Sequence, residues 1–240
     1  MIYKLTQSRI IKKIFSFIPY KYNLKVRNNF FKLLYFLLPT NSLEYEDVKL
    51  IRLIKKNYPG IEFNDIQIFD IGAGHPKIHS NTYKLHKKGS RVIAVDANED
   101  LINIYKKIRP GDTSIFSGIS KEKSVNLKYY KLEPWELSTT NEKWFQYAIE
   151  DLNAKLIGIL DVPSKTLEDI FYEYYDQNKK IHILSIDIEG SSGDVLNSFE
   201  FNDYKFDILV IEKDSLDMKN LNNHYELQIE DKFNKYFVKI

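Results

Sequence analysis

The fold of this chain is decided by residues 66–74, which read Ile-Gln-Ile-Phe-Asp-Ile-Gly-Ala-Gly. The apolar run before the first glycine predicts a buried strand, and the glycines predict a tight turn after it. Glycines at such a turn let the backbone approach a ligand closely, with the N–H groups of a following helix nearby. The stretch therefore predicts a ligand site at the carboxyl end of a buried strand.

Outward from this stretch, strand and helix patterns alternate, which predicts a mainly parallel sheet of an α/β fold. The predicted strands are Ile66–Ile71, Val92–Val95, Ser114–Ser117, Val125–Lys131, Ile181–Ile186, Ile208–Ile211, and a closing hairpin of Tyr225–Ile229 and Tyr236–Ile240. The predicted helices are Asn81–Lys88, Asn98–Ile108, Asn141–Asn153, Lys165–Tyr175 and Asp194–Phe199. Another helix is expected from Asn41 to Asn57, because Asn41 and Glu44 have the spacing of a capping box.

Composition excludes several classes of protein. With 240 residues, 43% hydrophobic, the chain can bury a core and is not disordered. It has no cysteine, which excludes disulfides, thiol catalysis and cysteine-bound metals. A formal net charge of +2 is too balanced for a dedicated nucleic-acid binder. No run of about 20 apolar residues and no signal-peptide cleavage pattern occurs, so a cytoplasmic protein is expected.

Residues 1–40 differ from the rest, since they contain eight basic and no acidic residues. They are predicted to form a basic helical extension preceding a catalytic domain at residues 41–240. Phe30, Leu33, Leu34 and Leu37 would share one helical face. That face either lies on an anionic membrane surface, at the inner side of the membrane, or packs against the body of the protein.

The second predicted strand ends in Asp96, 26 residues after Asp70. A carboxylate at this place can accept both hydroxyls of a ribose. A dinucleotide fingerprint would need a third glycine where Lys77 stands, and no GxxxxGK[ST] sequence is present. These features suit S-adenosylmethionine (SAM) better than NAD or ATP.

Three further carboxylates follow buried strands. Asp187 and Glu189 come after the strand Ile181–Ile186 and directly before Gly190, and Glu212 ends the next strand. Ligands of open α/β folds bind at the carboxyl ends of the strands, so these side chains are candidate site residues. His75 and His79 have a spacing seen in metal sites, but no third ligand is evident and no metal site is predicted.

The chain resembles the FkbM-type SAM-dependent methyltransferases over most of residues 45–240. The matching segments are Phe69–Pro76, Ser80–Tyr83, Asp96–Ala97, Ile108–Asp112, Leu184–Gly190, Val195–Leu196 and Val210–Glu212. The sequence departs from the family pattern at Gly74, where asparagine is common, at Ser192, where an acidic residue is common, and over Trp135–Thr140, where the family branch has Asn-Thr-Phe-Ser.

The resemblance implies a Rossmann-like class I methyltransferase fold, with a mainly parallel seven-stranded sheet that has one antiparallel strand. It also implies O-methylation, commonly of sugar hydroxyls in glycans or natural products. For this chain we expect methylation of a sugar hydroxyl in a bacterial capsule, lipopolysaccharide or related glycan, so the expected partner is a carbohydrate, as a nucleotide sugar or a finished glycan. The implied cofactor-binding residues are Asp70, Gly72, Ala73, Gly74, Asn81, Thr82, Asp96, Ala97, Ser117, Gly118 and Ile119. Among them, the glycine turn would contact the methionine part, Asp96 the ribose, and Ser117–Ile119 the adenine.

A sugar hydroxyl needs a base to take its proton. Asp187 is the first candidate and Glu189 the second, with Glu212 or His75 as substitutes. The same carboxylates could hold Mg²⁺ instead. Two other functions remain open at this stage, namely an NAD-dependent nucleotide-sugar oxidoreductase or epimerase, and an inactive methyltransferase-like scaffold docked on a membrane. The oligomeric state is not predicted.

Overall fold

A computed structural model describes residues 40–123, 125–199, 204–213, 221 and 224–240. The predicted N-terminal extension lies outside these residues, apart from Thr40. The helices are α1 Glu46–Asn57, α2 Tyr83–Lys87, α3 Glu99–Ile108, α4 Glu142–Glu150, α5 Leu167–Tyr174 and α6 Ser192–Asn197. The strands are β1 Ile66–Ile71, β2 Arg91–Asp96, β3 Thr113–Phe116, β4 Gly118–Ile119, β5 Asn126–Glu133, β6 Lys155–Lys165, β7 Ile181–Ile186, β8 Ile208–Glu212, β9 Tyr225–Glu230 and β10 Asn234–Lys239.

Within the described residues, seven strands form one sheet in the order β3-β2-β1-β7-β8-β10-β9. Only β10 runs against its neighbours β8 and β9, and the remaining pairings are parallel. The strand order reverses direction between β1 and β7, which are adjacent although far apart in sequence. This is the place where open α/β sheets bind ligands. The predicted Rossmann-like sheet with one antiparallel strand is confirmed.

Alternating side chains of the strands supply two apolar layers. Ile66 and Ile68 of β1 pack on one side with α1, α2 and α3. Phe69 and Ile71 pack on the other side with α5 and α6. The ring of Phe69 lies edge-on to Phe171 at a centroid distance of 4.9 Å. Because β1 is buried on both faces, its sequence is a nearly continuous apolar run, and this made the strand predictable.

A second, three-stranded sheet of order β4-β6-β5 is formed by part of the segment between β3 and α5. The sequence predicted β5 but not β6. Lys165, predicted to open a helix, is the last residue of β6, and the helix begins at Leu167 after the cap Thr166. The strand escaped prediction because it contains Gly158 and Pro163 and its residues are mostly exposed, so it shows no alternation of buried and exposed positions.

The predicted starts of α1, α2 and α6 are also wrong by a few residues, and α6 begins at Ser192 rather than at Asp194. Residues Asn41 and Glu44 do not cap α1, which begins at Glu46. The reason is Asp47, whose carboxylate accepts hydrogen bonds from the Thr40 hydroxyl and the Asn41 backbone N–H, so the preceding segment turns back on it. Similarly, α2 begins at Tyr83 rather than at residue 81.

No helix of the described part of the chain is long and apolar enough to cross a membrane.

Candidate active site at the carboxyl ends of the strands

The glycine turn presses the end of β1 against the end of β7. Gly72 has a φ of 78°, and a Cβ atom there would lie 1.8 Å from the carbonyl oxygen of Asp187. The backbone N–H of Asp187 donates to the carbonyl oxygen of Ile71 at 2.9 Å. Only glycine fits this approach, because any side chain would overlap the neighbouring strand end. The turn therefore brings the two acidic segments of the sequence together.

A cavity of about 160 Å³ opens at this edge of the sheet. Twelve of the residues predicted for the site line it: Asp70, Gly72, Ala73, Gly74, Asn81, Asp96, Ala97, Ser117, Gly118, Ile119, Asp187 and Glu189. Thr82, His75 and Glu212 do not line it. The cavity thus joins all but one of the residues predicted to bind the cofactor and two of the predicted catalytic carboxylates in one space.

Asp96 ends β2 beside the glycine turn. Its Oδ2 accepts a hydrogen bond from the Gly74 N–H at 2.7 Å, and its Oδ1 accepts one from the Asn98 N–H at 2.7 Å. A carboxylate offers about four acceptor positions, so each oxygen keeps one for a ligand hydroxyl. Desolvation raises the pKa of Asp96 to about 6, and the two backbone donors oppose that rise. Asp96 is fixed in a pose that suits a vicinal diol.

Asp70 is buried under the turn and is held by Thr82. The Thr82 hydroxyl donates to Oδ2 of Asp70 at 2.6 Å and accepts from the guanidinium of Arg109 at 3.2 Å. Burial raises the pKa of Asp70 to about 6, while Thr82 and Arg109 favour its charged form. Thr82, predicted to line the cleft, instead positions Asp70 from behind.

Asp187 and Glu189 face the cavity from the loop after β7. Desolvation raises the pKa of both carboxyl groups well above their usual values. The charge of Glu212 adds to both shifts, and the charge of Asp187 adds to that of Glu189. Glu189 has a φ of 33°, in the left-handed region, and its carbonyl oxygen accepts from the Thr139 hydroxyl at 2.8 Å. This arrangement provides a carboxylate pair that readily takes up one proton.

The remaining candidates lie outside the lining. Nδ1 of His75 accepts hydrogen bonds from the N–H groups of Lys77 and Ile78 at 3.0 Å, so this ring shapes the loop after the glycine turn. Oε2 of Glu212 accepts from the Ser192 hydroxyl at 3.3 Å, and its carboxylate acts on the cavity through its charge. Among the described residues, no group of three or more His, Cys, Asp or Glu side chains is arranged to hold a metal ion.

The side of the cavity away from the strand ends was not predicted as part of the site. It is lined by Tyr129 of β5 and by residues of the segment after it, namely Trp135, Glu136, Ser138, Thr139 and Thr140. His79 also lines the cavity, with its Nδ1 3.0 Å from Oε1 of Glu136. The only sequence signal for this side was the departure from the family pattern over Trp135–Thr140, because pairing between loop residues leaves no periodicity in a sequence.

A sequence model described as the methyltransferase FkbM domain matches residues 70–236, which is more than half of the chain. The chain belongs to the FkbM methyltransferase family. The match begins at Asp70 and spans both acidic strand ends and the second sheet, so every lining residue of the cavity except Leu43 lies within the FkbM domain. A methyltransferase family favours methyl transfer over the nicotinamide chemistry that the sequence had left open. No curated protein and no solved structure matches this FkbM-family chain significantly.

Proposed function

We propose that this FkbM-family methyltransferase uses SAM to methylate a hydroxyl group of a sugar, in the synthesis of a bacterial capsule, lipopolysaccharide or related glycan. The observation that carries the proposal is the charge of the cavity lining. Five carboxyl groups of the described residues line it, those of Asp70, Asp96, Glu136, Asp187 and Glu189, and no Lys or Arg lies among the described lining residues. SAM carries a sulfonium cation and an ammonium group, which such a lining attracts.

The predicted SAM contacts fit the geometry of this edge. The glycine turn exposes backbone to the cavity, and Asp96 has acceptor positions for the two ribose hydroxyls. Gly118 and Ile119 continue the lining beyond β3, where the adenine would lie. SAM supplies the methyl group as an electrophile, and the contribution of this chain is to align the acceptor oxygen and to take its proton.

The proton acceptor in this proposal is the Asp187–Glu189 pair. Burial and neighbouring carboxylates raise the pKa of both carboxyl groups, and a carboxylate with a raised pKa is a stronger base than an exposed one. Asp187 is the first candidate because its backbone N–H is anchored to β1, which fixes the residue beside the glycine turn. Glu189 then shares the proton, since the two carboxyl groups cannot both be charged at low cost.

The side formed by residues 129–140 is assigned to the sugar. It combines an aromatic surface from Trp135 with the hydroxyl groups of Ser138, Thr139 and Thr140. Sugars present apolar C–H faces and many hydroxyls, so they need both kinds of contact. The His79–Glu136 pair adds a donor and an acceptor at the same wall.

Calorimetry with SAM, S-adenosylhomocysteine and NAD tests the cofactor assignment. We expect the first two to bind and NAD not to bind. Transfer of a labelled methyl group to a panel of free sugars, nucleotide sugars and oligosaccharides then tests the acceptor class. Binding of NAD alone would contradict the proposed function, and SAM binding with transfer only to a non-carbohydrate acceptor would contradict the sugar assignment.

The variant Asp187→Asn tests the base, because it preserves the shape of the side chain and removes its charge. We expect unchanged SAM affinity and a kcat at least about tenfold lower, equivalent to about 1.4 kcal/mol in the transition state. Glu212→Gln is the matched control, since Glu212 does not line the cavity and its substitution should lower kcat less. Activity in EDTA separates the base from the Mg²⁺ alternative. Normal turnover in both Asp187→Asn and Glu189→Gln would mean that neither residue is the base.

A further inference from the structure

Strand β6 has an edge that the described residues leave largely unpaired. One edge pairs with β5 along Lys155–Pro163. On the other edge, β4 covers only Ser164 and Lys165. A long uncovered strand edge presents free backbone N–H and C=O groups and is a template for pairing with another strand.

This segment of β6 also exposes apolar side chains. Leu156, Ile159 and Leu160 are 40%, 53% and 46% exposed, and they are three of the large hydrophobic residues that the described structure leaves exposed. Their neighbours Lys155 and Asp161 form no ion pair with any described residue. An edge of this kind is usually protected by charges within the strand, whereas here the charges stand only at the two ends of the apolar segment.

Residues 155–161 read Lys-Leu-Ile-Gly-Ile-Leu-Asp, a sequence that is self-complementary about its central residue Gly158. If two copies pair antiparallel about Gly158, each Lys155 faces an Asp161 and each Leu156 faces a Leu160. Ile157 then faces Ile159. Directly opposed residues lie about 4.5–5.5 Å apart at Cβ, within reach of apolar contact and ion pairing. A parallel pairing in register would place Lys155 against Lys155, so only the antiparallel arrangement matches the charges.

Gly158 suits the position at the symmetry axis. A Cβ atom there would meet nothing within 4 Å, so the fold of a single copy does not require glycine at this position. The β5–β6 ladder shifts register between Lys131 and Leu132, which bends β6 next to Gly158. A residue without a side chain leaves room for two bent strands to approach at their midpoints.

We propose that two copies of this chain form a two-fold symmetric dimer by antiparallel pairing of their β6 edges about Gly158. The two small sheets then become one continuous sheet, and the contact is isologous, as expected for a homodimer. The occupant is a second copy because the edge is complementary to itself in both charge and apolar pattern. The interface does not depend on the reaction that the cavity performs.

Sedimentation velocity of the full chain across the micromolar range tests the dimer. We expect a concentration-dependent dimer for the natural sequence and a monomer for Leu160→Lys. The matched control is Leu227→Lys, because Leu227 is 41% exposed and lies on β9, the edge strand of the large sheet. This control should dimerise normally. A monomeric natural chain, or equal effects of the two lysine substitutions, would overturn the proposal.

Charge reversal tests the register, at exposed positions where misfolding is not expected. Lys155→Asp or Asp161→Lys alone places like charges opposite each other twice in the dimer, so each should weaken dimerisation about tenfold. The double variant Lys155→Asp/Asp161→Lys restores both pairs and should recover dimerisation to within about threefold of the natural chain. A double variant as weak as the single ones would exclude the antiparallel register about Gly158.

Discussion

The two walls of the cavity are built differently. The wall at the strand ends consists of backbone and carboxylates whose positions follow from the register of β1, β2 and β7, as the contact between Gly72 and Asp187 illustrates. The opposite wall comes from β5 and the segment after it, and hydrogen bonds from loop side chains hold it, such as the one from the Thr139 hydroxyl to the Glu189 carbonyl oxygen. The first wall is therefore fixed by the fold, while the second depends on a few individual side chains.

The sharpest test of the first wall is Gly72→Ala. We expect it to destabilise the protein by about 2–4 kcal/mol and to abolish SAM binding, because the new Cβ overlaps the Asp187 carbonyl oxygen and φ is positive. Thermal unfolding and calorimetry measure the two effects. Gly60→Ala is the matched control, since Gly60 has a φ of 83° with nothing within 4 Å of its Cβ position. Equal destabilisation of the two variants would show that the close approach to β7 carries no cost.

Asp96→Ala tests a carboxylate of the same wall. We expect SAM affinity to fall about 10- to 100-fold, because charge-assisted hydrogen bonds to the ribose contribute about 1.5–3 kcal/mol. Asp100→Ala is the control, because Asp100 lies on the adjoining helix α3 and pairs with Lys131 at the surface. Calorimetry should show that Asp100→Ala binds SAM with the affinity of the natural protein. Unchanged affinity in Asp96→Ala would remove the ribose contact from the proposed function.

The pH dependence of the protein's stability tests the burial of Asp70 in this wall. Burial raises the pKa of Asp70 to about 6, so the folded state holds this proton more tightly than the unfolded chain. The stability that proton binding contributes is present below the unfolded pKa of about 4 and is lost as the pH rises through about 6.

In Asp70→Asn this titration is absent. The melting temperature of this variant minus that of the natural protein should therefore increase from pH 4 to pH 7, when both are measured without ligands. If the difference in melting temperature between Asp70→Asn and the natural protein stayed constant from pH 4 to pH 7, this result would contradict the raised pKa of Asp70.

Thr139→Val probes the second wall and should have the smallest effect on the fold. It removes the hydrogen bond to the Glu189 carbonyl oxygen, a loss of about 1 kcal/mol. We expect nearly unchanged SAM affinity and a reduced kcat/KM for the acceptor, measured in the methyl-transfer assay. Ser120→Ala is the control, because within the described residues its hydroxyl accepts a hydrogen bond only from the exposed Glu122 N–H. A loss of SAM affinity as large as that of Asp96→Ala would show that the two walls are not separable.

The difference between the walls also determined what the sequence could predict. Asp70, Asp96 and Asp187 follow apolar strands, and parallel strands place their carboxyl ends together, so position along the chain was enough to group them. Trp135 comes to the cavity after β5 of a second sheet whose middle strand has no regular burial pattern, and His79 comes from the loop between β1 and α2. Thr82 was predicted to bind the cofactor but instead holds Asp70, because only the geometry distinguishes a residue that faces a cavity from one that supports it.

The acidic lining has a consequence for the order of events around turnover. Under the proposed reaction, the sulfonium cation becomes a neutral thioether while the acceptor oxygen gives its proton to Asp187 or Glu189. The total charge enclosed in the cavity is then the same immediately after transfer as before it. The positive charge has moved from the sulfonium of the ligand to the protein, where the proton now lies on a carboxylate. The spent ligand is no longer attracted by the carboxylates through its sulfur, so release of the proton to water resets the cavity for the next cationic ligand.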